Sequence, residues 1–376
     1  MLNIVGTTGN KETTSEEKYY TASQWQLMWR KFKKHRLALG GGTILLIFYI
    51  LAIFCEFFST HDIYKRYSKY INCPPQRIHF FDESGNFHLR PFVYGIKSEY
   101  DLETLEKRFT ENKRKKYPIY FLIHGYKYKL WNLFDADVHL FGVENPGMLF
   151  LFGTDELGRD LFSRTLYASR LSLSIGLVGV ALSFILGSIL GGISGYYGGS
   201  ADMIIQRVIE FLTSIPSIPL WMALAAALPP DWSIIKVYFG ITIILSVLGW
   251  CGLARIVRGK ILELRQEDFI MAAKIAGTSD MKIIFGHLLP SFSSYLIVNL
   301  TLSVPRMILA ETSLSFLGIG LRPPAVSWGV LLQQAQNVRS VASHPWLLIP
   351  GIFVVISVLA FNFLGDGLRD AADPYK

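Results

Sequence analysis

The residues best equipped for chemistry in this 376-residue chain stand close together in Gly153-Thr154-Asp155-Glu156-Leu157-Gly158-Arg159-Asp160. Carboxylates and an arginine among glycines suggest a calcium loop, but the ligand spacing of an EF-hand is absent. A structural turn that pairs an Asp with an Arg, drawn from Asp155, Arg159 and Asp160, accounts for the same residues. His124-Gly125 has the composition of an oxyanion turn, yet no nucleophile elbow accompanies it. Cys55, Cys73 and Cys251 lie far apart without CxxC spacing, so neither a metal site nor a disulfide framework is indicated. The chain has no Gly-x-x-x-x-Gly-Lys-Ser/Thr loop and is not expected to cradle ATP phosphates itself. No catalytic residue, bound cofactor or metal is therefore expected.

The elements that must position these residues are membrane spans. Hydrophobic residues make up 51% of the chain and charged residues 18%, and uncharged runs of bilayer-crossing length recur. The expected fold is an all-α polytopic membrane protein with six transmembrane helices, at about 37–58, 171–196, 208–228, 237–254, 288–317 and 346–364. Residues 1–36 form a polar tail and a basic flank, WQLMWRKFKKHR, whose Lys and Arg keep the N-terminus in the cytoplasm. The basic patch is assigned to orientation at the bilayer, not to nucleic acid. Six crossings place the C-terminus in the cytoplasm as well.

Residues 59–152 hold no run long enough to cross and read as an inserted external α+β domain. Short strands are expected at 78–81, 87–94 and 118–123, with one charged helix over 101–116. Its many Tyr and Phe suit a binding surface. The core, residues 153–376, carries the other five spans. Gly187, Gly191, Gly195 and Gly199 recur every fourth residue, a stripe that lets another helix approach closely. Pro216 and Pro219 imply a kinked or broken third span, which either lines a pathway or merely bends. Arg306 and Glu311 fall inside the fifth span. They are candidates for a pathway or for polar contacts within the bundle, and their separation does not put them on one helical face.

Between the fourth and fifth spans lies a polar knuckle, residues 265–290. Phe269, Ala272, Ala273 and Ala276 recur at the spacing of one helical face, and Gly277 is placed to stop that helix. The pattern fits either a plug for a groove on a partner protein or an amphipathic helix lying at the interface.

Met271-Ala272-Ala273, three residues, Gly277, nine residues and then His287-Leu288-Leu289-Pro290 resembles the EAA loop of importer-type ABC transporter permeases. Met271 stands where the general pattern has Glu and His287 where it has Ile, and both departures resemble the peptide-importer branch. GTDELGRDLFSRTLYASRLSLSIG is similar to the segment ahead of the second span in dipeptide, oligopeptide and nickel importer permeases. The likeness covers residues 25–58 and 150–376. It implies a coupling helix that docks on an ATP-hydrolysing subunit, a second permease, two ATPase subunits that hold ATP and magnesium, and an extracytoplasmic substrate-binding protein. By the same resemblance the cargo is a peptide, with oligosaccharides and nickel complexes as alternatives within the class. A membrane-anchored enzyme built on the insert is the alternative outside it.

Overall fold

The computed structural model describes residues 24–100 and 107–372. The expected N-terminal tail at 1–20, part of the helix expected at 101–116, and Asp373-Pro374 lie outside the described residues.

The chain enters through an amphipathic helix, α1 (Gln24–Phe32), and the first span, α2 (Arg36–Ile53). A helical turn, α3 (Cys55–Phe58), leads into a four-stranded antiparallel meander. Its strands are β1 (His79–Phe81), β2 (Phe87–Tyr100), β3 (Lys107–Leu130) and β4 (Phe134–Val143). The second span, α4 (Leu161–Tyr197), is the longest helix described. Then follow α5 (Gly199–Ser214), α6 (Ser217–Ala226) and the fourth span α7 (Ile234–Leu264). The knuckle contains α8 (Asp268–Ile275) and α9 (Asp280–Ile283). The fifth span is α10 (Ser293–Phe316), a short helix α11 (Trp328–Leu332) follows it, and α12 (Ile349–Ala372) is the last span.

Five of these helices are long and apolar enough to cross a bilayer, and α5 with α6 forms a pair bent by 89°. Neither half crosses alone. Helix α7 runs parallel to α4, because Tyr238 meets Ser174 near their first ends and Gly195 meets Arg258 near their last. The segment between them must therefore carry the chain back across, so the bent pair is the third crossing. Its break falls at Ile215–Pro216, where the extended backbone of both residues interrupts the helical ladder. Pro219 sits in the first turn of α6, where a missing N–H breaks no helical bond.

The glycine stripe makes the α4–α7 seam. A Cβ on Gly187 would lie 2.9 Å from the Leu253 Cβ, one on Gly191 2.5 Å from the Ala254 carbonyl oxygen, and one on Gly195 2.8 Å from the Arg258 carbonyl oxygen. The expected fourth member, Gly199, has nothing within 4 Å of that position and starts α5 instead. Nearer the start of α4, Gly176 and Gly179 receive Ile308 and Met307 of the antiparallel α10.

The insert corrects part of its forecast. Residues 107–116 are not helical but open the long strand β3, which pairs first with β2 and then with β4. Lys, Arg and Glu are good helix formers, but here the strand gives them partners across the sheet. Glu111 meets His79 at 3.1 Å, Lys113 meets Glu83 at 2.9 Å and Lys116 meets Asp82 at 2.9 Å. Strand β4 was not expected at all. The sheet is tied to the end of α2 at its far hairpin, where Trp131 Nε1 donates to the Ile53 carbonyl at 2.9 Å and the Tyr126 and Ser59 hydroxyls are bonded.

Sidedness within the molecule follows. Arg170, near the first end of α4, grips Glu56 beyond the end of α2 with two bonds of 2.7 and 2.6 Å. The first end of α2 meets the last end of α12, where Gly367 packs on Ala38. The start of α2, the end of α12 and the knuckle share one side, and the sheet lies on the other.

The seam generates a test. Gly191→Ala forces backbone apart and is expected to cost about 1–3 kcal/mol. Gly259→Ala, on the same seam helix α7 but with nothing within 4 Å, is expected to be neutral or stabilising by up to about 1 kcal/mol. Thermal unfolding of the purified protein reads both, and equal shifts would contradict the seam.

Candidate functional site

Helix α8 is held by one side chain more than any other. Ile270 is fully buried among Val257 and Ile261 of α7 and Ile283, Ile284 and Leu288 in the later part of the knuckle, with Ala273 packed at the edge. The sequence pattern pointed to Phe269, Ala272, Ala273 and Ala276 and missed Ile270. Those four do not act as one inward face: Ala273 is half-buried, while Phe269, Ala272 and Ala276 are exposed together with Met271 and Ile275. Ile275 is 86% exposed, the barest large apolar side chain in the knuckle. The outward surface of α8 is therefore largely apolar, with the exposed Asp268 in its first turn and Lys274 in its last.

Gly277 ends the helix with a φ of 75°. The Thr278 amide donates to the Ala273 carbonyl at 3.1 Å and the Gly277 amide to the Lys274 carbonyl at 3.0 Å, the bond pair that closes a helix on a left-handed residue. Tyr196, at the end of α4, donates its hydroxyl to Asp280 at 2.8 Å, and the Arg265 guanidinium reaches the Gly195 carbonyl at 3.3 Å. Pro290 is exposed in the helical turn Leu289–Ser291 that leads to α10.

The two ionisable residues of α10 part company. Glu311 is fully buried and accepts hydrogen bonds from Ser315 at 2.7 Å, Ser327 at 2.8 Å and Ser172 at 3.3 Å. Ser172 belongs to α4 and Ser327 caps α11, so one carboxylate joins three elements. Arg306 is exposed and lines a cavity of about 270 Å³ between α4, α6, α7 and α10. Pro216 and Pro219 do not line it; from that broken segment Trp221 does.

Asp155 is buried and saturated. Its Oδ2 accepts from Arg159 Nε at 2.7 Å and Arg164 Nη1 at 2.8 Å, and its Oδ1 from the Leu157 and Arg159 amides, both at 2.9 Å. Asp160 caps α4 by accepting the Ser163 amide at 2.9 Å. Arg164 was not singled out from the sequence, since nothing marks it as a second partner until the helix turns it back over the loop. Asp155 thus fixes the loop to the start of α4, and the loop's backbone joins it to the insert, the Asn72 amide donating to the Asp155 carbonyl at 3.1 Å and the Thr154 amide to the Cys73 carbonyl at 2.9 Å.

Residues 183–375 match the family model described as binding-protein-dependent transport system inner membrane component. Residues 23–75 match that of the N-terminal transmembrane domain of oligopeptide transport permease C. The dipeptide transport system permease protein DppC of Bacillus subtilis (strain 168) is 32% identical over 367 residues, covering 97% of this chain and 90% of that protein. The chain belongs to the inner-membrane permeases of binding-protein-dependent transport systems. Other relatives of this permease include the oligopeptide transport system permease protein OppC of Bacillus subtilis (strain 168), 37% identical over 250 residues, 66% of this chain and 77% of that protein. OppC of Haemophilus influenzae is 40% identical over 245 residues, 65% of this chain and 74% of that protein. A solved structure of the MetNI methionine ABC transporter in an inward-facing conformation aligns with a TM-score of 0.43 at 18% identity, over 55% of this chain and 96% of that one. Neither family model reaches residues 76–182, which hold the four strands and the first part of α4.

The Glu311 joint in this permease can be broken selectively. Glu311→Ala leaves three buried hydroxyls facing a void and is expected to cost about 2–4 kcal/mol, whereas Glu311→Gln keeps an acceptor and loses less. Thermal unfolding in detergent separates the two, and an alanine variant as stable as the parent would contradict the joint.

Proposed function

We propose that this permease forms one half of the membrane pathway of an ATP-driven importer of peptides, with a second permease as the other half. An extracytoplasmic binding protein delivers the cargo, and two partner subunits bind and hydrolyse ATP. The observation that carries the reading is α8: an apolar outward face, Phe269, Met271, Ala272, Ile275 and Ala276, on a short helix anchored from behind by Ile270. Such a face exposed to water is costly unless covered. Its occupant here is a cleft of the ATPase subunit, because the chain carries no phosphate-binding loop of its own and its knuckle residues resemble the coupling loop of such permeases.

The orientation is part of the proposal. Arg30, Lys31, Lys33, Lys34 and Arg36 precede the first span, and Arg255, Arg258, Lys260 and Arg265 lie toward the end of α7 and just beyond it. Both clusters lie on the knuckle side, which the positive-inside rule assigns to the cytoplasm. The sheet then faces outward, toward the binding protein, where its exposed Phe80, Phe81, Phe87 and Leu89 supply apolar contact area. The peptide cargo follows the dipeptide and oligopeptide permeases among the relatives.

Ala272→Arg and Ala276→Arg test the docking, because both positions are exposed and their substitution leaves the permease's own packing intact. Each is expected to leave membrane insertion unchanged, to reduce peptide uptake by at least about tenfold, and to abolish the stimulation of ATP hydrolysis by loaded binding protein. Normal uptake by an assembled Ala272→Arg complex would sink the coupling role of α8.

A further inference from the structure

The cavity at Arg306 has a composition that the transport reading alone does not require. It is lined by side chains of α4, α6, α7 and α10, most of them apolar, and contains no Asp or Glu. Arg306 stands near the middle of the 24-residue α10, on its exposed side. Among the described residues no carboxylate pairs with it: Glu311 is turned away, held by its three serines. A second donor is also idle. The indole N–H of Trp221, which lines the same cavity, is buried without an acceptor. The other polar groups are modest: Asn299, Ser303 and Ser183, with the Ser303 hydroxyl already given to the Asn299 carbonyl at 2.7 Å.

A guanidinium at mid-span is costly in hydrocarbon and persists where water or an anion meets it. Its planar fork fits a carboxylate with two parallel bonds, which an ammonium group cannot do and a neutral amide exploits poorly. A donor-rich cavity without an acid offers nothing to a cationic group and much to a carboxylate. We propose that this cavity is a carboxylate station on the translocation path, with Arg306 as the group that receives the charge and Trp221 as a supporting donor. The proposal deepens the peptide reading and rests on it. Carboxylate is the shared chemistry, supplied either by the C-terminus of the peptide or by an acidic side chain.

The test uses the complete importer, with both permeases, the ATPase subunits and the binding protein, reconstituted in liposomes. Uptake of trialanine, trialanine amide and Ala-Asp-Ala amide is compared in the parent, Arg306→Gln and Arg306→Lys complexes. The binding protein is common to all, so its own preferences cancel in the ratio of variant to parent. In Arg306→Gln the ratio of trialanine to trialanine amide uptake is expected to fall at least about tenfold, the scale of one charge-assisted contact, and Arg306→Lys is expected to retain part of it. A parallel loss for Ala-Asp-Ala amide assigns the station to any carboxylate, and its absence assigns it to the C-terminus. If the binding protein admits no amide, trialanine uptake kept by Arg306→Lys and lost by Arg306→Gln supports the proposal, and equal behaviour of the two variants overturns it. Equal loss on every cargo, with the second permease no longer co-purifying, would mean that Arg306 pairs with that subunit and would overturn it too. Unchanged uptake in Arg306→Gln dismisses the station alone, whereas a parent complex that carries none of the three peptides dismisses the peptide reading itself.

Discussion

A charge or an N–H left unpaired within hydrocarbon costs more than any one apolar contact returns, and that constraint sorts the polar residues of this permease. Glu311 is surrounded by three hydroxyls, and Arg170 holds Glu56 as well as the Ala52 and Ile53 carbonyls. Asp202 takes both nitrogens of the Arg258 fork at 2.5 Å and the Ser194 hydroxyl at 2.5 Å. Each of these clusters closes a joint between two or more elements. Arg306 has no carboxylate partner among the described residues and the Trp221 indole N–H no acceptor, and the two open on the same cavity.

The joints also divide the molecule mechanically. On the side of the sheet, Asp155 with Arg159 and Arg164, Glu56 with Arg170, and Glu311 with its serines fix the ends of α2, α4, α10 and α11 to one another. On the other side, α8 projects with an apolar face and is held by Ile270 in a cluster drawn from α7 and from the chain entering α10. Close packing transmits displacement, so movement of α8 reaches α7 and α10, two walls of the cavity, through Ile261, Ile283, Ile284 and Leu288.

Much of this was legible in the sequence, and the rest was hidden for identifiable reasons. The apolar runs, the break at Pro216 and the left-handed stop at Gly277 are local properties, set by composition and backbone sterics. The helix that carries the second span starts at Leu161, ahead of the apolar run read from about Leu171, because Arg164 and Arg170 find partners on it. Strand β3 was read partly as a helix because its charges satisfy helical propensity, and only the neighbouring strand decides otherwise. In the knuckle the periodic alanines drew attention, but anchoring falls to Ile270, whose partners come from α7 and from the later part of the knuckle. Trp221 carries no local signal, since its significance depends on which helices α6 faces.

Central to the account is that the sheet and the knuckle stand on opposite sides of the membrane, the knuckle in the cytoplasm. Two exposed serines, Ser84 in the β1–β2 turn and Ser279 in the knuckle, are suited to single cysteine replacements. The native background is quiet, because Cys55, Cys73 and Cys251 are all buried, and burial pushes the Cys73 thiol up to about 12. A membrane-impermeant thiol reagent applied to intact cells is predicted to label Ser84→Cys, and to label Ser279→Cys only after the membrane is opened. Labelling of both from the same side would contradict the account.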